Sequence, residues 1–164
     1  HALAKPEILI RPMSAEDIEP IARLERLCFV DPWPRASFLG EIGRPGGFSR
    51  VLTEAGVPAA YLVAWFVADE VHLANLAVAP AHRGKRFAKR MLRELIDESY
   101  ARGSRHVVLE VRVSNEPAVR LYESFHFKPV AIRKNYYVRQ REDALVMIRH
   151  LGVEGESEDD VDPF

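Results

Sequence analysis

The chain has 164 residues, 48% hydrophobic and 29% charged, the composition of an ordinary globular domain with enough length to bury a core. No apolar run approaches the roughly 20 residues that span a bilayer, the N-terminal HALAKPEILIRP lacks an apolar leader, and the single Cys28 excludes an intrachain disulfide framework. The expectation is one cytoplasmic domain over 1–152 with no membrane contact. The formal charge of −1 conceals an asymmetry: 152–164 hold six acids and no Lys or Arg, which leaves the rest at 23 bases to 18 acids, or +5. A mildly basic body suits a polyanionic partner, and 153–164 read as an acidic, disordered tail.

In chain order, ILIRP reads as a first strand that Pro12 interrupts. Ser14 and Asp17 form a capping-box pattern, and Ile18, Ile21, Ala22, Leu24, Leu27 and Cys28 predict one helical face. Pro34 suits the first turn of a second helix with Phe38, Leu39 and Ile42. FSRVLTEAG and VPAAYLVAWFVADE predict an antiparallel hairpin turning at 54–57, and VHLANLAVAP the next strand. A helix follows over 86–102, ended by Gly103. Val107, Leu109, Val111 and Val113 then share one face of a strand, with Val108, Glu110 and Arg112 on the other. Pro117 opens a short helix, and PVAIRKNYYV with EDALVMIRHL closes the chain as an antiparallel pair. The fold class expected is α/β (α+β): a mixed, mostly antiparallel sheet with helices on both faces.

Three features carry chemistry. The turn Arg83-Gly84-Lys85-Arg86-Phe87-Ala88 joins a strand to a helix start, where backbone N–H groups and the positive dipole end favour phosphate. A basic loop feeding a solvated helix has the same composition. Glu110 is an acid inside an apolar strand; it either faces solvent, with Arg112 as its ion-pair partner, or serves as a base. Tyr122 is a core aromatic or a proton donor. His72 is a further candidate base, although a lone strand histidine is usually structural. The other histidines show no ligand spacing, so no metal is implied. Nucleic-acid binding finds no motif and no aromatics interleaved with the basic residues.

Together these residues identify the chain as similar to the GNAT N-acetyltransferases. The turn resembles their pyrophosphate-binding pattern Gln/Arg-x-x-Gly-x-Gly/Ala, with Arg83 and Ala88 at its ends and Arg86 in place of the first glycine. LEVRVSNEPAVRLYESFHF resembles the bacterial RimI-like subgroup, which acetylates protein N-termini, including that of a ribosomal protein. His126 stands where the family has the glycine of a helix cap.

The resemblance implies acetyl-CoA as co-substrate, with its pyrophosphate on Arg83, Gly84, Lys85, Arg86, Phe87 and Ala88. Its pantetheine arm would lie along Leu76, Ala77 and Val78, with Asn115 hydrogen-bonding to it. It implies Glu110 as general base, acting through water, and Tyr122 as the acid that protonates the departing thiolate; partial burial is expected to raise the Glu110 pKa. The acceptor, a protein or peptide N-terminus, would meet Trp33 of DPWPRASF, Asn75, and Tyr136 and Tyr137 of KNYYVRQRED. The alternatives are acetylation of a small amine or a lysine, and a degenerate CoA-binding module. The oligomeric state and the acceptor are not legible.

Overall fold

The computed structural model describes residues 5–152, so the acidic tail expected at 153–164 lies outside the described residues. The strands are β1 (Ile8–Pro12), β2 (Gly47–Glu54), β3 (Val57–Val67), β4 (Glu70–Val78), β5 (His106–Arg112), β6 (Lys128–Tyr137) and β7 (Glu142–His150). The helices are α1 (Ile18–Cys28), α2 (Arg35–Glu41), α3 (Phe87–Ala101) and α4 (Glu116–Ser124). The strands hydrogen-bond in the order β1-β2-β3-β4-β5-β7-β6, with β4 and β5 parallel. The sheet is therefore mixed and mostly antiparallel, as expected. Two compact units are distinguished: the chain through Trp65 with Asn75–Arg93, and Phe66–Ala74 with the chain from Glu94.

In the first unit the β2–β3 hairpin turns through Ala55 and Gly56, both at positive φ (51° and 82°), the backbone that a tight two-residue turn requires. Its core includes Ile18, Ile21, Phe38, Val51, Leu52 and Leu92. The capping pattern forms at Ser14, whose N–H donates to Asp17 at 2.8 Å, and Arg11 clamps both oxygens of Asp17 at 2.7 and 2.8 Å. One expectation for α1 is corrected: Leu27 is 66% exposed, and the buried stripe is Ile18, Ile21, Ala22 and Glu25. That stripe is the i, i+3, i+4, i+7 series, so helix geometry turns position 25 inward whatever its chemistry. In α2, Phe38 is buried, Leu39 is exposed, and the helix ends one residue before Ile42.

In the second unit Val107, Leu109 and Val111 are buried with Leu95, Ile96, Phe125 and Met147. Val113 lies past the end of β5 and is 43% exposed, so the apolar face is one residue shorter than the alternation suggested. The parallel ladder runs from Glu70–His106 to Leu73–Leu109; β4 continues to Val78 and β5 to Arg112.

Helix α4 starts at Glu116, with Asn115 as its cap accepting from the Ala118 N–H at 3.3 Å. Its C-terminus is a Schellman turn. Phe127 N–H donates to Tyr122 C=O at 3.1 Å and His126 N–H to Glu123 C=O at 3.0 Å, with His126 at φ 66°. The buried Arg149 adds a 2.9 Å bond to Phe125 C=O, placing a cation at the negative end of the helix.

His126 and Arg86 (φ 64°) both occupy the left-handed region that the missing glycines would have filled. That conformation costs an L-residue about 1–2 kcal/mol, against about 0.5–1 kcal/mol for the extra chain entropy of glycine. Urea melts of His126→Gly and Arg86→Gly are therefore expected to show each gaining about 1 kcal/mol of stability.

Candidate active site

Glu110, at the middle of β5, is half-buried, and His72 on β4 lies beside it. His72 Nε2 is 2.6 Å from Glu110 Oε2, and Arg133 of β6 donates to Oε1 at 3.3 Å. The parallel register brings this about: His72 pairs with Val108, which sets its side chain on the face that Glu110 shares two residues on. Two sequence expectations change. Arg112 is not the partner of Glu110; its guanidinium lies over the Tyr137 ring, 4.9 Å from the centroid. The carboxyl is held below its usual range, not above it. The hydrogen bond from His72 is the largest influence, and together with the charges of His72 and Arg133 it outweighs the opposing effect of burial.

Tyr122 is almost fully buried on α4. The Schellman turn fixes it at both ends: its carbonyl accepts from the N–H groups of Phe125 and Phe127, at 3.0 and 3.1 Å, and its ring meets the Phe127 ring edge-on at 5.7 Å. Burial, with a smaller contribution from Tyr137, pushes its phenol well above the ordinary tyrosine value, so the proton is retained at neutral pH. Tyr136 and Tyr137 pack edge to face at 5.1 Å, with Arg133 over the Tyr136 ring at 4.6 Å. Burial raises the Tyr137 phenol to about 12. The unit thus places Glu110, His72 and Arg133 in one hydrogen-bonded group, and Arg133, Arg112 and the tyrosine pair in linked ring contacts.

The first unit holds the phosphate-type turn and Trp33. Arg86 C=O accepts from Arg90 N–H at 3.1 Å and so begins α3, whose first-turn N–H groups have no acceptor within the helix. Gly84 (φ 86°) has nothing within 4 Å of where a Cβ would stand. Arg83, Gly84, Lys85 and Arg86 are exposed, Ala88 is half-buried, and Phe87 is buried as the anchor of the helix start. Lys85 is engaged by Glu54 at 3.0 Å, and His82 Nδ1 by the same carboxylate at 2.9 Å. Arg83 reaches Cys28 Sγ at 3.8 Å, and that thiol donates to Val78 C=O at 3.5 Å. On β4, Ala77 is buried, while Leu76 and Val78 are half-buried. This arrangement fits a diphosphate: backbone donors at a helix start, an open glycine and surrounding cations.

Sequence reasoning missed Glu25. Only 1% exposed, it accepts from Tyr61 Oη at 2.6 Å, Asn75 Nδ2 at 3.0 Å and Trp33 N–H at 3.0 Å. Asn75, expected to meet the acceptor, is buried with its amide turned to Glu25. Trp33 packs against Phe38 at 5.4 Å. A glutamate on the buried i+7 position of α1 was the available signal, masked by the neighbouring Leu24 and Leu27.

Among the described residues no helix is long and apolar enough to cross a membrane, and no three His, Cys, Asp or Glu side chains group as a metal site.

Residues 18–127 match the model of the acetyltransferase (GNAT) family, and the chain belongs to that family. It is an acetyltransferase. The chain is 36% identical over 141 residues to the [ribosomal protein bS18]-alanine N-acetyltransferase of Escherichia coli K12, covering 84% of this chain and 94% of that protein. It is 34% identical over 151 residues to the N-alpha-acetyltransferase RimI of Mycobacterium tuberculosis, covering 88% and 94%. The crystal structure of the Escherichia coli S18-alanine enzyme superposes with a TM-score of 0.83 at 32% identity, covering 92% of this chain and 99% of that one.

Two outcomes are expected from this geometry. Glu25→Gln puts an NH2 where one of three convergent donors now points, which should cost about 1–3 kcal/mol in a urea melt. Because folding lowers the Glu110 pKa, its contribution to stability is complete above the unfolded value of 4.5 and is lost as pH falls through the lowered one. The stability gap between wild type and Glu110→Gln should accordingly be full at pH 7 and close on acidification.

Proposed function

We propose that the protein transfers the acetyl group of acetyl-CoA to the α-amine of a protein or peptide N-terminus, with a ribosomal-protein terminus as the leading acceptor. The observation that carries this reading is the basic centre at Glu110 in the same unit as a buried, fully protonated phenol at Tyr122. It is supported by the two relatives whose names state N-terminal acetylation over most of the chain.

The backbone donors of the 83–88 turn would hold the CoA diphosphate, with Arg83 and Arg86 adding charge. Lys85 would leave Glu54 to join them. The arm would run along Leu76, Ala77 and Val78 by strand-type hydrogen bonds, and the Asn115 amide nitrogen would donate to it while its oxygen keeps the α4 cap. Bound acetyl-CoA supplies an activated thioester carbonyl. Trp33 would bound the acceptor groove, and Tyr136 and Tyr137 would flank the peptide backbone. Asn75 would act indirectly, by holding Glu25.

The acid–base demands are modest. An α-amine has a pKa near 8 and a lysine amine near ~10.4, so at neutral pH the N-terminus is the easier nucleophile to free. The centre at Glu110 takes the amine proton. The amine attacks directly, the C–S bond breaks, and Tyr122 gives its proton to a thiolate whose conjugate acid has a pKa of about 8.5. Acetylation of a lysine or small amine uses the same groups on a more basic nucleophile and predicts activity confined to high pH.

A screen of short peptides with varied first residues, read by thiol release, tests the acceptor class. Transfer to α-amines in preference to a lysine side chain is expected, and the reverse preference would overturn the reading. Glu110→Gln and Tyr122→Phe should each lower kcat by about 100-fold or more, with unchanged far-ultraviolet circular dichroism.

A further inference from the structure

At the proposed diphosphate site, we infer that Glu54 sets the affinity for acetyl-CoA by competing with the diphosphate for Lys85, and that His82 takes over Glu54 when Lys85 leaves. The inference rests on the placement of the diphosphate at the 83–88 turn and deepens it.

A triangle of polar atoms at the edge of that turn carries the assignment. Glu54 is the last residue of β2, and His82 and Lys85 stand on either side of Arg83 and Gly84. Glu54 Oε2 lies 2.9 Å from His82 Nδ1 and 3.0 Å from Lys85 Nζ, and that Nζ lies 3.0 Å from the same Nδ1. An ammonium only donates hydrogen bonds and a carboxylate only accepts them, so His82 Nδ1 decides which sides of the triangle are bonded. Without a hydrogen, Nδ1 accepts from Lys85 but turns its lone pair towards Glu54. With one, it donates to Glu54 but sets an N–H beside the ammonium. Either way one side of the triangle is opposed. Departure of Lys85 removes the conflict: the Nδ1–H bond to Glu54 stands alone, and the carboxylate keeps a donor.

Lys85 is the member able to move, since its side chain is 43% exposed against 17% for Glu54. It is paired with a carboxylate, whereas Arg83 meets the Cys28 sulfur at 3.8 Å. A diphosphate outbids a single carboxylate for an ammonium, but the ion pair with Glu54 must first be given up. A partly exposed pair contributes up to ~1 kcal/mol, which corresponds to about 5-fold in a dissociation constant. Glu54 therefore holds acetyl-CoA binding below what the turn alone would give. The product CoA carries the same diphosphate, so recapture of Lys85 by Glu54 favours its release.

Calorimetric titration of the intact chain tests this, with acetyl-CoA and, separately, with S-acetylpantetheine, which lacks the diphosphate. Glu54→Gln, and Glu54→Thr as a second residue suited to a strand, should each tighten acetyl-CoA binding about 5-fold. Neither should change the affinity for S-acetylpantetheine. In a Lys85→Met background the gain from Glu54→Gln should shrink to less than about 2-fold, because the contested cation is gone. Unchanged or weaker acetyl-CoA binding in both Glu54 variants overturns the inference. An equal gain with and without Lys85 overturns it as well, since Glu54 would then act on the diphosphate directly. If the wild type binds S-acetylpantetheine as tightly as acetyl-CoA, the placement of the diphosphate on the turn fails, and the inference with it.

Discussion

A carboxylate buried in the first unit, Glu25, dictates where its neighbours go. Taking a carboxylate out of water costs several kcal/mol unless donors replace the water. Here three arrive from three places: the loop before α2 at Trp33, β3 at Tyr61 and β4 at Asn75. Removing any one leaves an unmatched group, so the three segments are held in mutual register by one side chain of α1. The Trp33–Phe38–Tyr61 ring series, at 5.4 and 5.7 Å, packs around the same point. The loop carrying Trp33 is thereby anchored from inside, although Pro32 and Pro34 deprive it of backbone donors of its own.

The second unit applies the same physics at the proposed catalytic centre. Glu110 is also a partly buried carboxylate with a donor on each oxygen, but its donors are an imidazole and a guanidinium instead of a phenol, an amide and a peptide N–H. That difference in donor chemistry sets the structural acid Glu25 apart from the acid proposed to react, Glu110. Glu25 holds three segments together, whereas Glu110 joins β5 to β4 through His72 and to β6 through Arg133.

Tyr122 shows how a helix end can fix one side chain. The Schellman turn needs a left-handed residue after the cap, an apolar contact from the residue beyond it, and carbonyls that accept twice. Here the carbonyl and the ring belong to the tyrosine proposed to protonate the leaving thiolate. His126 carries the backbone strain, and Phe127 and Arg149 hold the turn closed. Glycine is therefore a convenience at this cap and at Arg86, since both replacements adopt the backbone that glycine would have adopted.

The strand and helix order and the strain at Arg86 and His126 were legible from period-2 and period-3.6 patterning and from the missing glycines. The family resemblance rested on local strings that survive in one dimension: the turn at 83–88, Glu110, Asn115 and Tyr122. What lay beyond the sequence was pairing between distant residues. Glu110 finds His72 and Arg133 instead of Arg112, so its pKa falls where burial alone would raise it. Glu25 finds Trp33, Tyr61 and Asn75, which turns an apparent acceptor contact at Asn75 into a support. Periodicity places a side chain on a face. Which donor meets it there is decided only when segments 36 or 38 residues apart in sequence come within hydrogen-bonding distance.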